Sequence, residues 1–140
     1  MMGLRRLTVN NPGEERRCVS LAHLVAVIDD DDAFRVALVE SLDSLGYAAQ
    51  GYSSADEFLA TGGETSSDCV VTDIHMPGTS GIDLKRLLCA RGAKTPVIMI
   101  TARTDPDLEA RALASGAICL LKKPFESAAL VHCLDLALRP

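Results

Sequence analysis

Short uninterrupted apolar runs alternate along the chain with longer segments in which apolar residues recur every three or four positions. A continuous apolar run of roughly four to eight residues is typical of a strand buried on both faces, and the wider spacing is typical of an amphipathic helix. The pattern predicts strands over residues 24–28, 47–52, 69–73, 96–101 and 118–121. It predicts helices over residues 33–45, 55–59, 81–91, 106–115 and 127–138. Five strands alternating with five helices indicate a doubly wound α/β fold, in which helices cover both faces of a parallel sheet.

Local signals at the helix ends agree with these boundaries. Ser54 and Glu57 fit a capping box, and Asp105 precedes a proline at the first position of the fourth helix. Gly116 ends that helix, because glycine readily adopts the conformation that closes a helix. The small and polar residues at 62–67 predict a loop before the third strand.

Length and composition describe one aliphatic domain. The 140 residues allow a single domain with a substantial core, which we assign to residues 23–140 behind a flexible leader, residues 1–22. Hydrophobic residues make up 48% of the chain but aromatic residues only 4%, so the core must consist mainly of aliphatic side chains. No apolar run reaches the ~18 residues of a membrane helix and the leader lacks a signal-peptide core, so we expect a cytoplasmic protein without membrane contact. Five cysteines without a C-x-x-C pair indicate buried thiols rather than disulfides or zinc ligands.

The charge is unevenly distributed. The formal net charge is -5, and because residues 1–17 carry four arginines and two glutamates, the remainder of the chain carries -7. An acidic domain argues against direct binding of nucleic acid. It leaves room for a local excess of carboxylates that bind a cation.

Charged and polar side chains stand where four of the predicted strands end. Asp29 and Asp30 follow the first strand, Asp73 ends the third, Thr101 ends the fourth and Lys123 follows the fifth. The carboxyl ends of parallel strands share one edge of the sheet, where open α/β sheets bind their ligands. Neighbouring carboxylates repel one another unless a cation offsets them, and Mg²⁺ prefers such oxygen ligands. An ammonium group beside them can hold an anion next to the metal.

Each of these residues also has an ordinary structural explanation. An aspartate can cap the first helix, a threonine can end a strand, and the Lys122-Lys123 pair can be solvated. One aspartate satisfies a cap, however, and here four occur in a row at residues 29–32. The coincidence of such groups at four strand ends favours a functional site.

Four motifs at these strand ends resemble a known family. They are Val27-Ile28-Asp29-Asp30-Asp31, then Thr72-Asp73-Ile74-His75-Met76-Pro77-Gly78 with Gly81, then Ile100-Thr101-Ala102, and finally Lys123-Pro124-Phe125. In this order they resemble the receiver domain of two-component response regulators, of the FixJ-like type, over residues 24–138. The resemblance implies a flavodoxin-like (βα)5 sandwich with strand order 2-1-3-4-5. It also implies a signalling domain, not an enzyme, which catalyses only its own aspartyl phosphorylation and dephosphorylation.

The resemblance implies an acceptor and a metal site. Asp73 would take a phosphoryl group from a phosphohistidine on a sensor histidine kinase or a phosphotransfer protein. Mg²⁺, with Mn²⁺ as an alternative ion, would be bound by Asp29, Asp30, Asp73 and the backbone carbonyl of His75. A carboxylate is already ionised and needs no base to act as the nucleophile.

The resemblance also implies how the phosphoryl group is held and sensed. Thr101 and Lys123 would bind it, and the small side chain of Ala102 would leave it accessible. His75 and Arg103 occupy positions that tune dephosphorylation in the family. Leu120 departs from the family pattern, because an aromatic residue usually stands at this position and takes part in the switch. The usual coupling of that ring to the threonine is therefore not expected here.

The predicted last helix is apolar over more than one stripe, so part of it is either extra core or a contact surface. In the family, the face of the fourth helix, fifth strand and fifth helix supports a homodimer.

Two further functional hypotheses compete with the phospho-acceptor. One is a phosphorylation-independent interaction module on the same fold. The other is an enzyme or cofactor protein, but a flavin binder would lack its phosphate loop, and a magnesium phosphohydrolase would have His75 where a second acid is needed.

Overall fold

A computed structural model describes residues 23–139 of the chain. The predicted leader, residues 1–22, lies outside the described residues. The strands are β1 (Leu24–Ile28), β2 (Ala48–Tyr52), β3 (Cys69–Asp73), β4 (Val97–Thr101) and β5 (Cys119–Lys122). The helices are α1 (Asp32–Ser44), α2 (Ala55–Ala60), α3 (Gly63–Ser66), α4 (Gly81–Ala90), α5 (Pro106–Ala114) and α6 (Ser127–Ala137). The helices predicted over residues 106–115 and 127–138 are therefore α5 and α6.

The five strands form one parallel sheet in the order β2-β1-β3-β4-β5, which confirms the predicted fold and strand order. Every residue of β3 and β4 is buried, as expected for central strands with helices on both faces. The register pairs Ile28 with Thr72 and Thr101 with Lys122, so the polar residues that follow these strands emerge at the same edge.

Two apolar clusters, one formed by each set of alternating strand residues, pack the sheet against the helices. One is formed with α2, α4 and α5 and includes Phe58, Leu84, Leu88, Met99 and Leu108. The other is formed with α1 and α6 and includes Leu38, Leu42, Ile98, Leu130 and Leu134. Alternate residues of a strand point to opposite faces, which is why Ile98 and Met99 belong to different clusters.

The predicted caps are present, with one difference in detail. The side chain of Asp105 accepts hydrogen bonds from two backbone N–H groups of α5, and Ser54 Oγ accepts from Glu57 N at 3.0 Å. The Glu57 carboxylate completes the capping box one residue early, because it accepts from the N–H of Ser53 at 2.8 Å.

The prediction of a loop over residues 62–67 was wrong in part, since α3 forms one helical turn there. Gly62, with φ of 73°, is the N-cap of this turn, and Gly63 then packs directly against the ring of Phe58. A Cβ atom at Gly63 would overlap that ring. The packing therefore requires glycine at residue 63, and a small and polar composition does not distinguish this helical turn from a loop.

The four cysteines in the described part of the chain are free thiols. Cys69 and Cys133 are buried as predicted, and burial raises the pKa of both thiols to about 12. Cys119 is half-buried, whereas Cys89 is exposed, so it is not the buried thiol that was expected. Among the helices of residues 23–139, none has the length and apolar character that crossing a membrane requires.

Most of the excess apolar surface of α6 belongs to the core. Leu130, Cys133 and Leu134 are buried, and Ala137 packs against the same cluster. Val131 is only partly covered.

Candidate functional site

The aspartates after β1 have two different roles, one in capping α1 and the other at the sheet edge. Asp31 is the N-cap of α1, and its side chain accepts a hydrogen bond from Phe34 N at 3.2 Å. Asp29 is only 1% exposed, and its Oδ1 atom accepts from Asp31 N at 2.9 Å. Asp30 lies between them and is exposed. One aspartate caps the helix, and the two before it remain available at the sheet edge.

The loop after β3 fixes the Asp73 carboxylate through a backbone hydrogen bond. Asp73 Oδ1 accepts a hydrogen bond from the backbone N–H of His75 at 3.0 Å. The chain then returns to start α4, where Gly81 N donates to the carbonyl of Ile74 at 3.0 Å. A Cβ atom on Gly81 would lie 2.6 Å from the Asp73 carbonyl oxygen, so only glycine allows this close return.

The three acids form a compact cluster. Asp29, Asp30 and Asp73 each contribute a carboxylate oxygen, and these oxygens all lie within 4.8 Å of one another. Burial raises the pKa of Asp29 and the charge of Asp73 adds to the effect, although hydrogen bonds from Asp31 N and Lys123 oppose it. A set of hard oxygen ligands, one of them desolvated and one open to solvent, fits a divalent cation that keeps part of its water shell. The cluster could therefore hold a metal.

Lys123 joins the acids of the first and third strands. Its Nζ atom donates to Asp29 Oδ2 and to Asp73 Oδ2, in both cases at 3.1 Å. Burial acts to lower the pKa of Lys123, but the hydrogen bonds to Asp73 and Asp29 outweigh burial and the pKa is raised. The ammonium group is thus a fixed positive charge between two carboxylates.

Thr101 lies at the end of β4, fully buried. Its Oγ1 atom accepts a hydrogen bond from Arg103 N at 3.0 Å, and its backbone carbonyl accepts from Lys123 N at 2.8 Å. The second bond joins the ends of β4 and β5 beside the acid cluster. Ala102 and Arg103 are exposed in the loop that follows.

Two of the other predicted residues have further contacts away from the acids. Leu120 is half-buried in β5 and packs against the apolar cluster that contains Leu108. The side chain of His75 lines a cavity of about 440 Å³, together with Leu108 and Arg111. Its Nε2 atom is buried and has no hydrogen-bond partner in the part of the chain that the structure describes.

Two residues in the first turn of α1 contact the site without having been singled out from the sequence. The ring of Phe34 has its centroid 4.0 Å from Lys123 Nζ. The guanidinium of Arg35 donates to the backbone carbonyl of Asp29 at 2.7 Å and to Asp32 Oδ1 at 2.6 Å. The spacing of Arg35 from Asp32, three residues along a helix, was a usable signal. No sequence signal distinguished Phe34 from an ordinary core residue.

The chemistry available at this edge follows from these contacts. A carboxylate at Asp73 can act as a nucleophile without a base, provided that its negative charge and that of its target are offset. The ammonium of Lys123 and a cation bound by the acid cluster would provide that offset. The arrangement suits the transfer of an anionic group.

Comparisons with known proteins find relatives over most of the chain. Residues 25–135 match the family model described as the response regulator receiver domain. The chain is 45% identical over 107 residues to the transcriptional regulatory protein FixJ of Azorhizobium caulinodans, covering 76% of this chain and 51% of that protein. It is 36% identical over 115 residues to FixJ of Bradyrhizobium diazoefficiens, covering 82% and 56% of the two chains. The chain thus spans about half the length of these curated relatives. The crystal structure of FixJ-N superimposes with a TM-score of 0.77 at 31% identity, covering 82% of this chain and 92% of that one.

Proposed function

This chain belongs to the response regulator receiver domain family, and on that premise we propose that it accepts a phosphoryl group on Asp73. The donor is a phosphohistidine of a sensor histidine kinase or a phosphotransfer protein. An oxygen of the Asp73 carboxylate bonds to phosphorus, and the phosphorus–nitrogen bond breaks with its electron pair remaining on the imidazole nitrogen. The observation that carries the proposal is the contact of Lys123 Nζ with both Asp29 and Asp73 at 3.1 Å.

The electrostatics of the cluster support a role for Mg²⁺. Asp29, Asp30, Asp73 and the backbone carbonyl of His75 would bind the ion, with Mn²⁺ as an alternative. When bound, the ion neutralises charge on the transferred phosphoryl oxygens, which is the main requirement of phosphoryl transfer. The residues of the chain do the rest: His75 N orients the acceptor carboxylate, and Lys123 provides a counter-charge beside it.

Thr101 is suited to sense the phosphoryl group. Its Oγ1 atom already accepts a hydrogen bond from Arg103 N, which leaves the hydroxyl hydrogen to donate to a phosphoryl oxygen. Ala102 and Lys123 complete the binding set, and Ala102 keeps the approach open because its side chain is small. His75, whose backbone N–H donates to Asp73, and Arg103, whose backbone N–H donates to Thr101, tune the loss of the phosphoryl group by water. Differential binding of the phosphorylated state then biases the loop after β4.

The signal would leave through the α5–β5–α6 face as a homodimer. Leu113 of α5 and Ile118 next to β5 are large apolar residues with 54% and 42% of their surface exposed, which supports a contact surface on this side. Lys122 and Glu109 form an ion pair of 2.7 Å at the same face. Sizing the protein with and without beryllofluoride should show a dimer only in the treated sample; a monomer in both samples would contradict this route.

Intact-mass measurement tests the acceptor. The domain is incubated with acetyl phosphate and Mg²⁺, and wild type should gain one phosphate, which Asp73→Asn and a sample treated with a chelator should not gain. Absence of the adduct in wild type, or its persistence in Asp73→Asn, would reject Asp73 as the acceptor.

A phosphorylation-independent interaction module is the second candidate, and Leu120 is the observation that favours it. An aliphatic side chain already packed against the core cannot repeat the movement of a switch aromatic. Dimerisation or partner binding that is the same in wild type and Asp73→Asn would favour this reading.

A further inference from the structure

The ring of Phe34 lies directly against the ammonium group at the centre of the site. Its centroid is 4.0 Å from Lys123 Nζ, well inside the ~6 Å within which a cation is attracted by an aromatic face. The Lys123 side chain is only 20% exposed, so the attraction is less weakened by water than at a surface. Phe34 thus contacts the same ammonium that bonds to Asp29 and Asp73.

Two features fix the position of the Phe34 ring, namely the start of α1 and the ring of Phe125. Phe34 lies in the first turn of α1, where its N–H donates to the Asp31 side chain at 3.2 Å. Its ring meets that of Phe125 edge to face, with centroids 6.2 Å apart and an interplanar angle of 78°. Phe125 follows Lys123 by two residues, so one segment carries both the ammonium and the ring that orients Phe34.

We propose that Phe34 is a positioning residue that holds the Lys123 ammonium at the acid cluster through its ring face. The proposal deepens the proposed function and rests on it. A lysine side chain is long and loses considerable rotamer freedom when it is fixed in one place. Contact with the ring restrains it before the phosphoryl group arrives.

An aromatic face has an advantage over another acid at this place. A further carboxylate at the position of the ring would also attract Lys123, but its negative charge would repel the incoming phosphoryl group. The ring attracts the ammonium through its quadrupole and carries no net charge. Lys123 can therefore turn from the carboxylates to a phosphoryl oxygen without leaving the ring.

The direct test is the NMR spectrum of the lysine ε-methylene groups. A methylene beside the face of a ring is shifted upfield, and the chain has only four lysines to assign. We expect the Lys123 ε-protons upfield of those of Lys85, Lys94 and Lys122. In Phe34→Leu the Lys123 ε-protons should have the same chemical shift as those of the other three lysines. In Phe34→Tyr, which keeps the ring, they should remain upfield. Equal shifts for all four lysines in wild type would overturn the proposal without any variant.

Binding of beryllofluoride with Mg²⁺ measures the consequence. Loss of a partly desolvated cation–π contact should weaken binding in Phe34→Leu by about 3- to 10-fold and slow phosphorylation by acetyl phosphate to a similar extent. Phe34→Tyr should behave like wild type. Phe58→Leu is the matched control, because it also removes a ring from an edge-to-face pair, that with Tyr52 at 5.3 Å, but in the cluster that does not contain Phe34.

The outcomes separate this proposal from the proposed function. Equal affinity in wild type and Phe34→Leu, or an equal loss in Phe58→Leu, would show that the ring has only a structural role. Wild type that binds no beryllofluoride and takes no phosphate would reject the proposed function, while the lysine spectrum would still decide whether Phe34 holds Lys123.

Discussion

Replacement of Asp30 by asparagine tests whether the acid cluster binds a cation, and the structure supplies a matched control. Asp30 and Asp31 are adjacent and exposed, but only Asp30 contributes an oxygen to the cluster that spans 4.8 Å. Asp31 instead caps α1, a role that asparagine performs equally well. Asp30→Asn should therefore change metal binding, whereas Asp31→Asn should not.

The expected size of the effect follows from linkage. At a free Mg²⁺ concentration 100 times its dissociation constant, wild type should gain about 2.7 kcal/mol of unfolding free energy. Loss of a carboxylate ligand should weaken Mg²⁺ binding at least tenfold. Mutation of a residue that only hydrogen-bonds to a metal ligand already lowers metal affinity by about 10- to 100-fold. At the same Mg²⁺ concentration, the gain in Asp30→Asn should thus be smaller by about 1.4 kcal/mol or more.

Without metal, we expect Asp30→Asn to raise the unfolding free energy instead of lowering it. Two carboxylates about 5 Å apart repel by about 1 kcal/mol when water screens them, as it does at the exposed Asp30. Removing one charge should make the metal-free Asp30→Asn protein more stable than wild type by up to that amount. In Asp30→Asn the metal-free protein should thus be more stable than wild type while its Mg²⁺-dependent gain is smaller, a combination that a general loss of packing could not produce.

Thermal unfolding at increasing Mg²⁺ concentrations is the assay. For a domain of this size, 1 kcal/mol corresponds to about 3–5 °C in Tm, so wild type should gain about 8–13 °C and Asp30→Asn about half of that or less. Asp31→Asn should follow wild type. Equal gains in wild type and Asp30→Asn would refute the assignment of Asp30 to the cation site, and no gain in any of the proteins would refute the site itself.

Two other substitutions test the framework around the site. Arg35→Gln removes the bond to the Asp29 carbonyl and should lower both Mg²⁺ affinity and unfolding free energy, the latter by about 1 kcal/mol. Calorimetry and urea unfolding measure these effects, and Arg86→Gln, whose i,i+3 ion pair is exposed, should change neither; equal effects of both substitutions would contradict a specific role for Arg35. Gly63→Ala should destabilise the domain by about 1–3 kcal/mol in urea, because its methyl group would overlap the Phe58 ring. Helix propensity alone predicts a gain of about 1 kcal/mol, so a stabilised variant would contradict the packing argument.

The regular elements could be predicted because their signals are local. Each predicted strand and helix lies within one residue of the observed element at both ends, and α3 is the element that the pattern missed. Buried parallel strands require continuous apolar runs, and helix ends require caps, so both leave a record in neighbouring residues. The turn of α3 left none, since the small and polar residues of Gly63–Ser66 are equally typical of a loop.

The same distinction applies to the site. Asp29, Asp30, Asp73 and Lys123 could be chosen from the sequence because each follows or ends a strand, and parallel strands end at one edge. Their phosphoryl chemistry came from the resemblance of the motifs, and it stays a proposal until the adduct is measured. The contacts of Phe34 could not be predicted, because its spacing in α1 is that of any residue facing the sheet.

The sequence by itself thus determined the order and type of the elements, the parallel sheet, and the edge to which the acids and the lysine belong. Only the tertiary structure decided which atoms meet: that Lys123 bonds to two acids, that Arg35 holds the Asp29 carbonyl, and that a ring lies against the ammonium. The physical reason is the separation along the sequence over which each interaction acts. Hydrophobic periodicity and capping act between residues a few positions apart, whereas the site is built from side chains as far as 94 residues apart whose contacts exist only once the sheet has formed.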